Sequence, residues 1–142
     1  MSNVVELIVS TGLNASIYNV GQRVSINDIT GVVFDPSSKK IVSTTQTEDI
    51  FWASAKTWCS NVGQSWYLPS VSELSAVYSN KAALNNTLSA IGGNLFSSHY
   101  YWSSTTASDI FDQVYIVSFQ NGQTRASNKE EYSRHVCAVC AL

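Results

Sequence analysis

The segment from Trp66 to Leu74 constrains the fold of this chain more than any other part of the sequence. It reads Trp-Tyr-Leu-Pro-Ser-Val-Ser-Glu-Leu, and Pro69 ends any helix before it because proline has no backbone N–H to donate. Ser70 and Glu73 have the spacing of a capping box, in which each side chain accepts a hydrogen bond from the other residue's backbone N–H. The segment therefore predicts a buried aromatic residue, a sharp turn and the start of a short helix.

The composition is that of a surface domain. The 142 residues suffice for one domain with its own core. Charged residues form 13% of the chain, against roughly a quarter in ordinary soluble proteins, and Ser, Thr, Asn and Gln take their place. This balance favours a surface, extracellular or virion β-rich domain. The net charge is −2 and Lys39-Lys40 is the one basic pair, so we expect no nucleic-acid partner, since phosphate contacts need clustered Lys and Arg.

The sequence also bears on location. No run approaches the ~18 apolar residues of a membrane-spanning helix, so no membrane insertion is expected. Residues 1–6 lack the positive charge and long apolar run of a secretory signal, so no signal peptide is expected. With the composition, these features predict a virion or a bacterial cell surface as the location.

Apolar residues at helical spacing predict two further helices. The first of them ends at Gly63, with Glu48-Asp49 at its start, where the helix dipole favours acids. The face of this helix is formed by Trp52, Ala55, Cys59 and Val62. The other helix runs through Ala82–Ile91 and ends in a Gly92-Gly93 turn.

Short runs of β-branched and aromatic residues predict strands. The runs are Val4–Val9, Ser16–Val20, Gly31–Phe34, Ile41–Ser43, Tyr100–Ser104, Val114–Phe119, Gln123–Ala126 and Arg134–Leu142. Asn121-Gly122 has the strongest hairpin-turn signal in the chain. We predict that residues 1–29 form a β arm or hairpin for mounting or oligomer contacts, and that residues 30–142 form the main domain.

The reactive side chains predict no enzyme, metal site or cofactor. Cys137 and Cys140 have CxxC spacing, but no second pair completes a zinc site, and in a strand they would point to opposite faces. Buried thiols and one disulfide from Cys59 both remain possible. His99 and His135 are interpreted as packed or surface residues. The acidic residues Glu48, Asp49, Asp109 and Asp112 lack the spacing of a calcium loop, and no glycine-rich phosphate loop occurs.

Five landmarks in order resemble one family. They are Trp52/Ala55/Cys59, Trp66–Leu74, Tyr101–Thr105, Phe119–Gly122 and Val136–Cys140. This order resembles the DUF1566 domains, also called Lcl C-terminal domains, of the C-type-lectin-like group, over about residues 30–142. The resemblance implies an α+β, C-type-lectin-like fold with two short helices flanking a small, twisted antiparallel sheet. It also implies that the cysteine of the first helix can bond the last strand.

The resemblance assigns structural roles and marks two departures. The structural residues are Trp52, Cys59, Trp66, Leu68, Pro69, Ser70, Glu73, Trp102, Cys137 and Cys140. The family usually has Arg where this chain has Tyr67, which predicts the loss of a buried ion pair. Its last strand usually carries one cysteine, so the resemblance does not decide between Cys137 and Cys140 as the partner of Cys59.

The function implied is recognition without catalysis. We predict a non-enzymatic surface or virion module for attachment or glycan-receptor binding, displayed as a homotrimer among virion or cell-surface proteins. The alternative is a structural component of a phage capsid, tail or fibre with no ligand. The binding face is expected on loops 80–99 and 103–113, and the acidic chain favours a neutral glycan or a protein over a sulfated ligand. The candidate ligand-binding residues are Tyr100, Tyr101, Ser104, Thr105, Phe111 and Asp112.

Overall fold

The computed structural model describes residues 17–107 and 112–142. Its elements are β1 (Arg23–Ile26), β2 (Ile29–Asp35), β3 (Lys40–Ile50), α1 (Trp52–Val62), α2 (Val71–Ser79), α3 (Lys81–Ile91), β4 (Tyr100–Thr106), β5 (Gln113–Ser118), β6 (Thr124–Asn128) and β7 (Arg134–Ala141). The predicted α+β class is confirmed.

The strands form one sheet in the order β1-β2-β3-β7-β4-β5-β6. Neighbouring strands are antiparallel except β4 and β7, which run parallel and pair Tyr101 with His135. The two helices on a small antiparallel sheet that the resemblance implied are wrong: the described residues hold seven strands and the three helices that the local sequence signals predict. The last strand enters the middle of the sheet, between β3 and β4, and this insertion joins the two halves into one large sheet.

Both faces of the sheet are buried, which explains the nearly continuous apolar run of β7. Successive residues of a strand point to opposite faces, and two cores result. The first core includes Val33, Ile41, Ala55, Cys59, Trp66, Leu68, Trp102, Ile116, Val136, Ala138 and Cys140. The second core includes Val32, Phe34, Val42, Leu74, Val77, Leu84, Leu88, Phe96, Tyr101, Val117, Phe119, Cys137 and Val139. Residues of α1 thus pack on one face, and those of α2 and α3 pack on the other.

The capping box predicted at the start of α2 is confirmed. The Ser70 backbone N–H donates to Glu73 Oε1 at 2.9 Å, and the Glu73 N–H donates to Ser70 Oγ at 3.1 Å. Lys40 Nζ and the Tyr67 hydroxyl both donate to Glu73 Oε2 at 2.7 Å. Glu73 therefore has an ion pair with Lys40, whereas Tyr67, at the position where the family usually has Arg, contributes a neutral hydrogen bond to the same carboxylate. Tyr67 also exchanges two 3.0 Å backbone hydrogen bonds with Val139, which ties this segment to β7.

The start of α1 differs from the prediction. The N-cap residue is Phe51, and the first turn holds no acidic residue. Glu48 and Asp49 belong to β3, which continues to Ile50 because the β-branched residues Thr44, Thr45 and Thr47 favour an extended backbone. Gly63 ends the helix as predicted.

The N-terminal region is only partly described. The predicted run Val4–Val9 lies outside the described residues, and residues 17–20 of the predicted strand Ser16–Val20 are not in a strand. The edge strand is instead β1, a run whose polar side chains give a weak strand signal, and it pairs with β2. Residues from Arg23 onward thus belong to the sheet, while the mounting role of residues 1–29 stays a prediction.

The three cysteines are free thiols buried in the two cores. Cys137 lies in the second core and Cys140 in the first, as their strand spacing predicts. Cys59 Sγ donates to the Cys137 carbonyl at 3.5 Å. The disulfide that the resemblance implied is therefore replaced by a contact between a thiol and the backbone of β7.

We expect these thiols to be unreactive in the native protein. Burial raises the pKa of Cys59 to about 12 and raises the pKa of Cys137 and Cys140 as well, and the thiolate is the reactive form. Titration with Ellman's reagent should detect almost no thiol in native protein and three per chain after denaturation. A single thiol after denaturation without reductant would show a disulfide and contradict the structure.

Candidate functional site

The second half of β3 leaves the regular ladder with β7. Val42 faces Val139, but Gln46 faces Cys137, so four residues of β3 are matched by two residues of β7. Ser43 fills the gap: its hydroxyl accepts a hydrogen bond from the Ala138 N–H at 3.1 Å and donates to the Thr45 carbonyl at 2.7 Å. Bulges of this kind are over-represented beside functional sites, so this half of β3 is a candidate location for one.

A second irregularity follows at Glu48 and Asp49. Thr47 faces Val136 and Ile50 faces Arg134, so β3 here carries one residue more than β7. Asp49 has a φ of 58°, a left-handed conformation that is uncommon for residues other than glycine. The side chain of Glu48 is 70% exposed. The bulge thus presents two neighbouring carboxylates at the end of the strand.

The connection between α3 and β4 is tied to this irregular strand. The Asn94 N–H donates to the Thr44 carbonyl, Asn94 Oδ1 accepts from the Gln46 N–H, and Gln46 Nε2 donates to the Asn94 carbonyl, each at 2.9 Å. Gly93 permits this approach, because a Cβ there would lie 2.8 Å from the Thr44 carbonyl oxygen. A preformed surface results between β3 and residues 91–100.

Two adjoining cavities open on this surface. The Leu95 cavity has a volume of about 170 Å³ and is lined by Gln46, Thr47, Glu48, Asn94, Leu95, Ser97 and His135. The Tyr100 cavity has a volume of about 260 Å³ and is lined by Glu48, Asp49, Ser98, His99, Tyr100, Ser133, Arg134 and His135. Because Glu48 and His135 line both cavities, the two form one groove.

Two histidines stack in this groove. The rings of His99 and His135 are 4.1 Å apart between centroids and inclined by 9°, and His135 Nε2 lies 3.3 Å from Glu48 Oε1. Burial lowers the pKa of His135, the neighbouring His99 lowers it further, and the opposing effects of Glu48 and Asp49 do not cancel this. His135 is therefore neutral at pH 7, so its ring can both donate and accept hydrogen bonds.

Arg134 holds the aromatic wall of the Tyr100 cavity. Its guanidinium carbon lies 5.2 Å from the Tyr100 ring centroid, 5.0 Å from that of Tyr132 and 5.9 Å from that of Trp102, within range of cation–π attraction. Its Nη2 donates to Ser127 Oγ at 3.0 Å, and burial lowers its pKa. These contacts fix the half-buried Tyr100 ring at the cavity.

The two predicted ligand-binding residues at the start of β4, Tyr100 and Tyr101, lie in different environments. Tyr100 lines the cavity that bears its name. Tyr101 is fully buried, so its prediction as a ligand contact is corrected: its ring packs 4.3 Å from that of Phe119, in the second core. The alternation of β4 explains the difference, since neighbouring residues of a central strand face opposite sides. The Tyr101 hydroxyl donates to Gln46 Oε1 and so braces the groove from below.

Ser104, Thr105 and Asp112 do not line the cavities with Tyr100. The Ser104 N–H donates to the Pro69 carbonyl at 2.8 Å, and Thr105 Oγ1 accepts from the Val71 N–H at 2.9 Å, so both lie beside the start of α2. The Asp112 carbonyl accepts from the Lys129 N–H at 2.9 Å, and Phe111 lies outside the described residues. Thus the connection within loop 80–99 contributes to the groove, while none of the described residues of loop 103–113 lines either of the two cavities.

Most residues that the resemblance made structural are in the cores. Seven of them are buried: Cys59, Trp66, Leu68, Pro69, Trp102, Cys137 and Cys140. Trp52 is half-buried, and its indole N–H donates to the Ser103 carbonyl at 2.9 Å. Ser70 and Glu73 form the capping box of α2.

Sequence reasoning missed the groove because its residues come from distant parts of the chain. His99 and His135 meet only because β7 pairs in parallel beside β4. The sole sequence signal was the run Thr44–Asp49, whose polar residues follow a buried strand without a turn residue. Within residues 17–107 and 112–142, no three His, Cys, Asp or Glu side chains could hold a metal ion.

Comparison with known proteins identifies one family. A family model described as the Lcl C-terminal domain matches residues 25–140, from within β1 to within β7. No curated protein matches the chain significantly. No helix in the described part of the chain is long and apolar enough to cross a membrane.

Proposed function

The chain belongs to the Lcl C-terminal domain family, which indicates a surface-associated module, and from this premise we propose that it is a non-enzymatic recognition domain for a neutral glycan. The ligand binds in the groove formed by the Leu95 and Tyr100 cavities. The domain acts as a trimer on a virion or bacterial surface, and its fold is of the C-type-lectin-like kind that the sequence resemblance implies.

The observation that carries this proposal is the composition of the Tyr100 cavity. A tyrosine ring held by Arg134 lies beside serine hydroxyls, imidazoles and carboxylates. Sugars present apolar C–H patches next to hydroxyl groups, and an aromatic face with a few placed polar groups suits both. Because a tyrosine that is already held in place loses little side-chain entropy when a ligand binds, it is an efficient contact residue.

Charge in the groove favours an uncharged ligand. Glu48 and Asp49 line it together with one arginine, Arg134, whose guanidinium is already engaged by aromatic rings and Ser127. Sulfated or phosphorylated ligands need an excess of cations, which these residues do not supply.

The two carboxylates support binding and not hydrolysis. Cleavage of a glycosidic bond needs two carboxyl groups that flank the bond from either side. Glu48 and Asp49 are consecutive residues on one bulge of β3, and they line the same wall. We therefore assign them to hydrogen bonding with sugar hydroxyls.

A second candidate is a purely structural role in a larger assembly. It is favoured by a shallow depression of about 440 Å³ beside α1, with mainly apolar walls. Its lining consists of Thr47, Ile50, Ala53, Ser54, Thr57, Trp58 and Asn61. In this role a neighbouring subunit covers the depression, and no glycan is bound. This role predicts that Trp58→Ala loses the oligomer in light scattering and that the intact oligomer binds no glycan on an array, and the second result separates the two roles.

Binding of labelled protein to a glycan array and to intact bacteria tests the proposal. Replacing Tyr100 with alanine should weaken binding about 10-fold, since aromatic contacts contribute about 0.5–1.5 kcal/mol beyond burial. Tyr115→Ala, at a half-buried tyrosine on β5 outside both cavities, is the matched control and should bind normally. Binding that Tyr100→Ala leaves unchanged would refute the groove as the site.

A further inference from the structure

We infer that the groove continues past Asn94 into a third cavity and that its ligand is a segment of a linear, uncharged polysaccharide, bound along the chain. This inference rests on the proposed function and specifies the class of glycan. It also moves the site beyond the residues around Tyr100.

The third cavity adjoins the Leu95 cavity at Asn94. The Arg23 cavity, as we call it, has a volume of about 270 Å³ and is lined by Arg23, Thr30, Thr44, Thr45, Ile91, Gly92, Gly93 and Asn94. Asn94 lines both this cavity and the Leu95 cavity. The three cavities therefore form a row.

One strand supplies a wall to all three cavities in the order of the sequence. Thr44 and Thr45 line the Arg23 cavity. Gln46, Thr47 and Glu48 line the Leu95 cavity, and Glu48 and Asp49 line the Tyr100 cavity. The facing wall follows the same order through residues 91–94, 94–97 and 98–100. Two irregular segments that run side by side thus border one elongated site.

The size of the row suits an extended ligand with repeating units. A strand rises about 3.3 Å per residue, so residues 44–49 span roughly 15–20 Å. Each cavity is below the ~300 Å³ typical of a complete small-molecule site, while the row as a whole falls within that range. Three consecutive compartments of about 170–270 Å³ match a chain of similar units better than one compact ligand.

The lining of the row matches an uncharged chain of sugars. Hydroxyl and amide side chains form its middle, where Leu95, 49% exposed, supplies an apolar contact. The charged residues are Arg23 at one end, Glu48 where the Leu95 and Tyr100 cavities meet, and Asp49 and Arg134 at the other end. An extended peptide would instead require apolar pockets or an open sheet edge. Here β7 pairs with one edge of residues 44–49, and Asn94 occupies the other edge through its hydrogen bonds to Thr44 and Gln46.

The site is preorganised for this ligand. Three hydrogen bonds join Asn94 to β3, and Gly93 lies against the Thr44 carbonyl. A wall that is already ordered loses little entropy on binding. The middle of the row is therefore the most rigid point, and units on either side of it add contacts without further ordering.

A length series tests the inference. Linear neutral oligosaccharides of one to six units, built from glucose, mannose or N-acetylglucosamine, are titrated against the full chain by calorimetry and on an array. We expect affinity to rise up to three or four units and then to level off. Thr45→Arg, which fills the Arg23 cavity from an exposed position, should weaken binding of the tetramer at least 10-fold and leave the dimer unchanged.

Controls separate this inference from the proposed function. Asn86→Arg places the same side chain on the exposed face of α3, away from the row and from the depression beside α1, and should change nothing, while Arg23→Ala gives a second variant of the Arg23 cavity. If no member of the series binds, glycan recognition itself fails. If oligosaccharides bind with an affinity independent of length, or if both Arg23-cavity variants leave the tetramer unaffected, the extended site is refuted and glycan recognition stands.

Discussion

Replacing Trp102 with alanine should lower the free energy of unfolding by about 3–5 kcal/mol, the cost of truncating a buried tryptophan. Trp102 is the largest fully buried side chain and lies in the first core with α1. Its indole N–H also donates to the Ile50 carbonyl at 2.9 Å, where β3 ends. The truncation thus leaves both a cavity and an unpaired carbonyl, and because domains have only ~5–15 kcal/mol of stability, much of the total is lost.

Urea unfolding followed by far-ultraviolet circular dichroism measures this loss without relying on tryptophan fluorescence. Trp58→Ala is the matched control, since Trp58 is only partly buried at the edge of the same core and should cost clearly less. Trp102→Phe keeps most of the volume and should fall between the two. Equal losses for Trp102→Ala and Trp58→Ala would contradict the packing of the first core.

The helices were predictable because their signals are local. The capping box at Ser70 and Glu73, the stop at Gly63 and the turn at Gly92 each depend on residues a few positions apart. Their ends in the structure agree with these signals. The parity of Cys137 and Cys140 on a strand is equally local, and it too was confirmed.

The sheet was predictable only in part because pairing is not local. The length of β3 depends on its partner β7, about 90 residues later in the chain. Its polar half, Thr44–Asp49, has no apolar alternation and so gave no strand signal. The sequence therefore predicts Glu48 and Asp49 at the start of α1, whereas they belong to a bulge of β3.

The groove was the least predictable feature for the same reason. Aromatic sequence alone could not separate Tyr100, which lines a cavity, from Tyr101, which is core. That distinction depends on which face of β4 is covered by α2 and α3. The contact of His99 with His135 depends on the parallel pairing of β4 with β7, which no local pattern encodes.

The second large effect is expected at Glu73. Glu73→Ala removes the acceptor of the Ser70 N–H, which is one of the two hydrogen bonds of the capping box, together with the partner of Lys40 and Tyr67. Caps contribute about 0.5–2 kcal/mol, and breaking a partly buried ion pair adds to this, so we expect a loss of about 2–4 kcal/mol. Glu130→Ala, at an exposed acid, should change the free energy of unfolding little.

Charge and hydrogen bonding at Glu73 can be separated by pH. Burial alone would raise the pKa of Glu73, but hydrogen bonds from Lys40, the Ser70 backbone and Tyr67 outweigh it, and the pKa lies below the ordinary value of about 4.5. The native state thus binds fewer protons than the unfolded chain, and stability from this carboxylate is present above pH 4.5 and disappears as the pH falls through the native pKa. Glu73→Gln retains a side chain able to complete the box but has no charge. Its deficit relative to the natural chain should be largest near pH 7 and shrink below pH 4.5. A deficit constant across this range would mean that the ion pair with Lys40 adds no stability and that Glu73 acts through its capping hydrogen bond alone.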